Sequence, residues 1–317
     1  MCNRQLQIIK DHHLSPLKDL LGFSQEQLRT ASISYNPMAF LMAIPVTKWQ
    51  LFPKHLFQHW VRLALDLPFD DCERTCEACG KQQDDTGHHR ATCASRATKA
   101  WKRGHSHVVE ALGNMLGIAA IGSTTKDGQI PRHVDSDRHG DILVDCKVAP
   151  FSDLVLDFTL THPRTGSSNK YPIGSWKPDA LGMANNKKTK KHALSYEQAQ
   201  HAFLSLIADT YGKISDDFVR FLWMMANAAS TNFRLSQPSP NSEPSLSQDT
   251  FTKLRGSLFS RFRVQIAAAI AKAAAARFVP DSTNDGIPTF VVWDRGRKPL
   301  TNSAPEDDLP LYQIPCT

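Results

Sequence analysis

The feature that most constrains this chain is a run of metal-ligand residues, Cys76-x2-Cys79-x8-His88-x4-Cys93, packed into 18 positions. Three soft thiolates and one imidazole at this spacing suit tetrahedral Zn(II) held by four protein ligands. With no position left for water, such a site folds and braces a loop and does no chemistry. His89 could replace His88 in the set, and Cys72 could replace Cys76. The chain has 7 cysteines, an odd number, and Cys2, Cys146 and Cys316 stand alone. That distribution argues for a local metal site in a reducing compartment and against a disulfide framework.

Around this element, 317 residues with 41% hydrophobic content can bury one good core and a small satellite, because single cores stop growing near roughly 250 to 300 residues. The net charge of +6 permits a polyanionic partner without demanding one. The N-terminal MCNRQLQIIKDHH lacks the apolar run of a secretory signal, and no stretch has the length and apolarity of a membrane span. A soluble, intracellular protein without a membrane partner is expected.

Apolar spacing predicts helices over 15–30 and 55–67, a helical pattern over 107–116, and further helices over 183–200, 216–233 and 249–278. Two strand-like runs, 141–145 and 153–161, form a hairpin signal, and a further strand fits 202–207. A Ser/Pro-rich linker separates the last two helices, and the residues after Pro280 read as a polar tail. The organisation expected is a helical linker region (1–68), a zinc element (69–100), a core (101–234), the linker (235–248), a basic helix (249–278) and a disordered tail (279–317).

The hairpin carries the second chemical signal. If residues 146–152 connect the strands so that Asp145 faces Asp153, antiparallel counting puts Asp141 opposite Asp157 on one face. Like charges in that position are unfavourable unless a cation lies between them. Mg(II), which takes a few carboxylate oxygens together with water and phosphate, is the natural occupant. It would polarise a scissile phosphate while a lysine stabilises developing charge. Lys187, Lys188, Lys190 and Lys191 lie downstream in one predicted helix. From Lys170 to Lys191 the chain holds six lysines and one acid, which favours phosphate contact. Taken by themselves, paired Asp residues at strand ends also read as turn formers, and KKTKK as a solvated face or a nuclear-import signal.

The order of the segments adds to this. NPMAFLMAIP, LFPKHLFQHWVRLALDLPF, CEACGKQQDDTGHHRATC, RHGDILVD, LVLDFTLTHP, KKHALSY and FLSLIADTYG, over about residues 39–278, together resemble the region that follows the polymerase domain in non-LTR retrotransposons using a restriction-like endonuclease. The resemblance implies a Cys-Cys-His-Cys zinc element ahead of a PD-(D/E)xK-type nuclease, an α/β fold with a mixed sheet flanked by helices. It implies nicking of target DNA to prime reverse transcription in the nucleus, with element RNA or a reverse transcriptase as further partners.

By position the resemblance makes Asp141 the first acid and Asp157 the second, both ligands of Mg(II). The lysine that usually follows the second acid is replaced by Phe158-Thr159, and Lys191 on the next helix is its best match, with Tyr196 as companion. Lys187, Lys188, Lys190 and Tyr196 are the expected DNA contacts. Gly140 stands where the family typically has Pro or Ala, and Pro178-Asp179 looks like a decoy for the motif. No Tyr/Phe-Ala-Asp-Asp polymerase signature occurs. The alternative expectation is a zinc-containing DNA-binding remnant without catalysis.

Overall fold

The computed structural model describes residues 53–69, 74–96, 99–124, 139–145, 153–167, 171–236 and 247–279. The helix expected at 15–30, most of the Ser/Pro linker, the tail after 280, and Cys2, Cys72, Cys146 and Cys316 lie outside the described residues.

Six α-helices and four strands follow in the order α1 (Lys54–Ala64), α2 (His88–Thr92), α3 (Lys99–Ile118), β1 (Gly122–Thr124), β2 (Ile142–Asp145), β3 (Asp153–Thr161), α4 (Ala180–Gln198), β4 (His201–Asp209), α5 (Asp216–Ser236) and α6 (Gln248–Ala276) among the described residues. The strands form one sheet in the order β1-β2-β3-β4, with β2 antiparallel to both β1 and β3 and β4 parallel to β3. The fold is therefore mixed α/β, with a mixed sheet flanked by helices. A parallel neighbour needs a crossover, and α4 supplies it between β3 and β4.

Strand alternation divides the core into two parts. Ile142, Val144, Leu154, Leu156 and Phe158 join α3, α5 and α6 in the main core, around Leu112, Phe218, Leu222, Phe262 and Ile266. Val155 and Tyr196, with Leu143 and Phe203 against them, make a small second core beneath α4. Helices thus cover the sheet in layers, which leaves the alternate positions of β2 and β3 facing α4.

Two expectations about helices change. Pro178-Asp179 starts α4: Asp179 takes a left-handed backbone (φ 45°), and its carboxylate accepts a hydrogen bond from the Gly182 N–H at 3.1 Å. The decoy is a helix cap. The basic helix expected over 249–278 corresponds to α6, and its second half is built into the protein. From Ile266 to Ala276 nearly every residue is buried, and a Cβ on Gly104 of α3 would stand 2.9 Å from the Ala273 Cα. Small residues on both helices allow that approach, and the arginines of α6 lie towards its first half. α6 also meets α1 in a cluster of Leu56, Trp60, Leu63, Ala271 and Ala275.

Candidate functional site

The zinc element begins as a tight reversal. An isolated bridge joins Thr75 to Gln82, the Cys76 N–H donates to the Lys81 carbonyl at 2.8 Å, and the Gly80 N–H returns to the Cys76 carbonyl at 2.7 Å. Gly80 is left-handed (φ 69°), a conformation that closes such a turn at low cost only for glycine. The second half is α2, whose first free N–H groups are taken by Asp84: one oxygen accepts from His88 N and the other from His89 N, both at 2.8 Å. Burial pushes the Asp84 carboxyl up, and the Thr86 hydroxyl with these N–H donors outweighs it, leaving its pKa below the ordinary value. Gly87, left-handed at φ 79°, has no room for a side chain, since a Cβ there would lie 2.6 Å from the Phe278 ring.

One ligand atom from each of Cys76, Cys79, His89 and Cys93 lies within 4.8 Å of the others. The histidine is therefore His89, and the expectation of His88 is corrected. The reason is helical: Cys93 caps the C-terminus of α2 four residues after His89 and falls on the same side, whereas His88 is turned about 100° away. His89 Nε2 stands 3.3 Å from Cys79 Sγ, and its Nδ1 donates to the Gly166 carbonyl at 2.6 Å. That bond puts the proton on Nδ1 and leaves the Nε2 lone pair facing the thiols. Burial raises the Cys76 thiol, but hydrogen bonds from the Ala78 and Cys79 backbone and from His89 outweigh it and bring it down to about 6. The thiolate, the ligating form, then prevails at neutral pH. Donor set, tautomer and thiolate all fit a metal such as zinc.

His88 faces the protein interior instead. Its Nδ1 pairs with His162 Nε2 at 3.1 Å, and His162 Nδ1 pairs with the Thr210 hydroxyl at 2.6 Å. Asp66, 3.8 Å from His88 Nε2, also accepts from the Tyr211 hydroxyl at 2.8 Å and pairs with Arg164. Burial drives the His162 pKa well below the ordinary imidazole value, so the ring is a neutral link. This chain of polar groups, which sequence reading did not anticipate, ties the zinc element to the ends of β3 and β4.

The second cluster lies where β2 meets β3. Ile142 pairs with Leu156, Leu143 with Val155 and Val144 with Leu154, so the ladder continues to Asp141 opposite Asp157 and Asp145 opposite Asp153. The Asp141 N–H donates to the Leu156 carbonyl at 2.8 Å, and Asp141 Oδ2 accepts from Phe158 N at 2.6 Å. His105 of α3 brings its Nε2 within 3.3 Å of the same oxygen. Burial lowers the His105 pKa, but the Asp141 carboxylate more than reverses this and the net shift is upward.

Asp157 is only 8% exposed. Burial raises its carboxyl pKa, Lys188 opposes that, Asp141 adds to it, and the net direction is up. Lys188 Nζ lies 2.6 Å from Asp157 Oδ2. The lysine at the second acid is thus Lys188, one turn ahead of the Lys191 expected there. Lys188, His192 and Tyr196 recur every four residues and turn inward together, while Lys191 is exposed. With Lys187, Lys188, Lys177, Thr159 and Thr161, Lys191 lines a cleft of about 510 Å³ between α4 and β3. Of the acid cluster, only Lys188 borders that cleft. Lys187 and Lys190 are exposed on α4, and Lys190 does not line the cleft.

Tyr196 is a correction. It is 1% exposed, stacks on Phe203 with ring centroids 5.5 Å apart, and its hydroxyl accepts from the Gly140 N–H at 2.7 Å. It can offer no surface to DNA and instead fixes the residue before Asp141. Gly140 is equally constrained, since a Cβ there would lie 2.3 Å from Val155 Cγ1. Glycine at this position, where the resembled family has Pro or Ala, is a packing requirement of this chain.

None of the described helices is long and apolar enough to cross a membrane. Compared with protein-family models, curated proteins and solved structures, the chain matches none.

Proposed function

We propose that this chain is a metal-dependent DNA endonuclease stapled by a structural zinc site. The observation that carries the reading is the grouping of Asp141 and Asp157 on paired strands, with Lys188 projecting from the next helix onto Asp157. Burial and a second carboxylate raise the Asp157 pKa even against the charge of Lys188, and hard oxygen donors of this kind suit Mg(II). Asp141 and Asp157 would hold it. When bound, Mg(II) supplies Lewis-acid polarisation of a phosphoryl oxygen and lowers the pKa of a nearby water.

The protein's own groups do the rest. Lys188 carries a positive charge to the second acid and borders the α4–β3 cleft, so it can share that charge between Asp157 and an entering phosphate. Lys177, Lys187 and Lys191 line the same cleft and offer phosphate contacts that position a strand without reading its sequence. The segment order that resembles the retrotransposon endonucleases supports nicking of target DNA in the nucleus as the biological role, with a reverse transcriptase and element RNA as partners.

The test is plasmid nicking by the purified chain with Mg(II), with EDTA, and with Asp157→Ala. Magnesium-dependent nicking lost on substitution is expected. The ion pair between Lys188 and Asp157 also favours a second reading, a DNA-binding remnant in which the lysine has taken the place of the metal. DNA binding without nicking in any metal would establish that one instead.

A further inference from the structure

Each acid of the cluster is held by a different helix. Asp157 has Lys188 from α4. Asp141 has His105 from α3, which begins two turns earlier than its apolar pattern. The two acceptors near His105 Nε2 are Asp141 Oδ2 and the Phe158 carbonyl, each at 3.3 Å. Both neighbours are acceptors, so Nε2 carries the proton and donates. Asp141 Oδ2 then has two donors, this imidazole and the Phe158 N–H, which leaves Oδ1 as the oxygen available to a ligand. The ring also lies 5.6 Å from the Phe158 ring, which limits its rotation.

We infer that His105 is a positioning residue for the metal site: it fixes Asp141 in the orientation that presents one oxygen to a divalent cation. The inference rests on the endonuclease reading for its consequence, but its geometry is independent of that reading. A ligating carboxylate is itself commonly hydrogen-bonded, and losing such a partner costs about 10- to 100-fold in metal affinity or activity. A side chain with 39% of its surface exposed contributes less to packing than to that bond.

The experiment uses the full chain with its zinc site loaded, as wild type, His105→Ala and His105→Gln. Glutamine returns an N–H near the place of Nε2. Mn(II) binding is followed by the paramagnetic resonance of the free ion, with Asp141→Ala as the background, and plasmid nicking in Mg(II) is resolved into kcat and KM. Alanine is expected to weaken Asp141-dependent Mn(II) binding and lower kcat by about 10- to 100-fold, with KM for plasmid unchanged and glutamine recovering most of both. Mn(II) affinity that is unaltered in His105→Ala overturns the inference, as does a glutamine variant that folds like wild type yet is as impaired as alanine. If wild type binds Mn(II) through Asp141 and never nicks, the endonuclease reading fails while the binding arm still decides the role of His105. If Asp157→Ala abolishes nicking and His105→Ala leaves both readouts intact, this inference alone fails. Wild type that binds no Mn(II) through Asp141 overturns it outright.

Discussion

Substituting Gly140 by alanine tests whether the turn before Asp141 is as tightly built as its contacts indicate. The new methyl carbon would stand 2.3 Å from Val155 Cγ1 and 3.0 Å from the Leu156 carbonyl oxygen. Val155 is fully buried and branched at Cβ, so it has no easy alternative rotamer. The Leu156 carbonyl is engaged by the Asp141 N–H and cannot withdraw without breaking the start of the ladder. Overpacking of this kind costs about 1 to 3 kcal/mol. In a domain of this size that lowers Tm by roughly 2 to 12 °C. Thermal and urea unfolding followed by circular dichroism measure it, and the double variant with Val155→Ala separates the clash from other effects. If the steric argument holds, the double variant loses less than the sum of the two single losses, by at least about 1 kcal/mol. Proline at 140 should be worse than alanine, because it also removes the N–H bonded to the buried Tyr196 hydroxyl, a further cost of about 1 to 3 kcal/mol. A Gly140→Ala protein as stable as wild type, or strict additivity with Val155→Ala, would refute the reasoning.

His89→Ala should release zinc at chelator concentrations that leave His88→Ala loaded, as read by metal analysis after dialysis, and equal retention would unseat His89 as the ligand. Lys188→Ala should cut nicking by about 10- to 1,000-fold, while Lys191→Ala mainly weakens DNA binding in a salt-dependent way; the reverse pattern in a kinetic comparison would return the lysine role to 191. Asp209 at the end of β4 is pushed up by burial to about 6, against hydrogen bonds from the Lys213 and Tyr211 N–H groups. Its folded pKa is raised, so its contribution to stability is full below the unfolded value of 3.8 and is lost as pH rises through about 6. Asp209→Asn should therefore gain on wild type by about 3 kcal/mol between pH 4 and pH 8, and parallel denaturant midpoints at both pH values would count against it.

The hairpin register was legible because a short connection and period-two alternation leave few pairings that keep Ile142, Val144, Leu154 and Leu156 on one side. Counting from Asp145 opposite Asp153 leads to the ladder observed. The zinc cluster was legible to within one residue. The choice between His88 and His89 depends on rotation about α2, a five-residue helix with no apolar stripe to orient it. The lysine was missed for a related reason: Lys188 and Lys191 lie on one helix, and only its inward stripe, through His192 and Tyr196, distinguishes them. β1 is three residues, Gly-Ser-Thr, without alternation to reveal a strand. The contact of His105 with Asp141 could not be read from spacing, because it joins an early helix to the start of a later strand through tertiary packing.

The wall behind the zinc element has a consequence for how the chain is made. Arg277 donates to the Ala91 carbonyl at 2.6 Å across 186 positions of sequence, and Phe278 stacks on Phe69 with ring centroids 4.4 Å apart. At ribosomal speeds of about 5 to 20 residues per second, roughly 10 to 40 seconds separate the emergence of the cysteines from the arrival of the residues that pack behind α2. During that interval the three thiols of the reversal and of α2 lack the packing that Arg277 and Phe278 supply behind them. A metal taken up early by the nascent reversal would hold the three sulfurs together until the residues after α6 arrive.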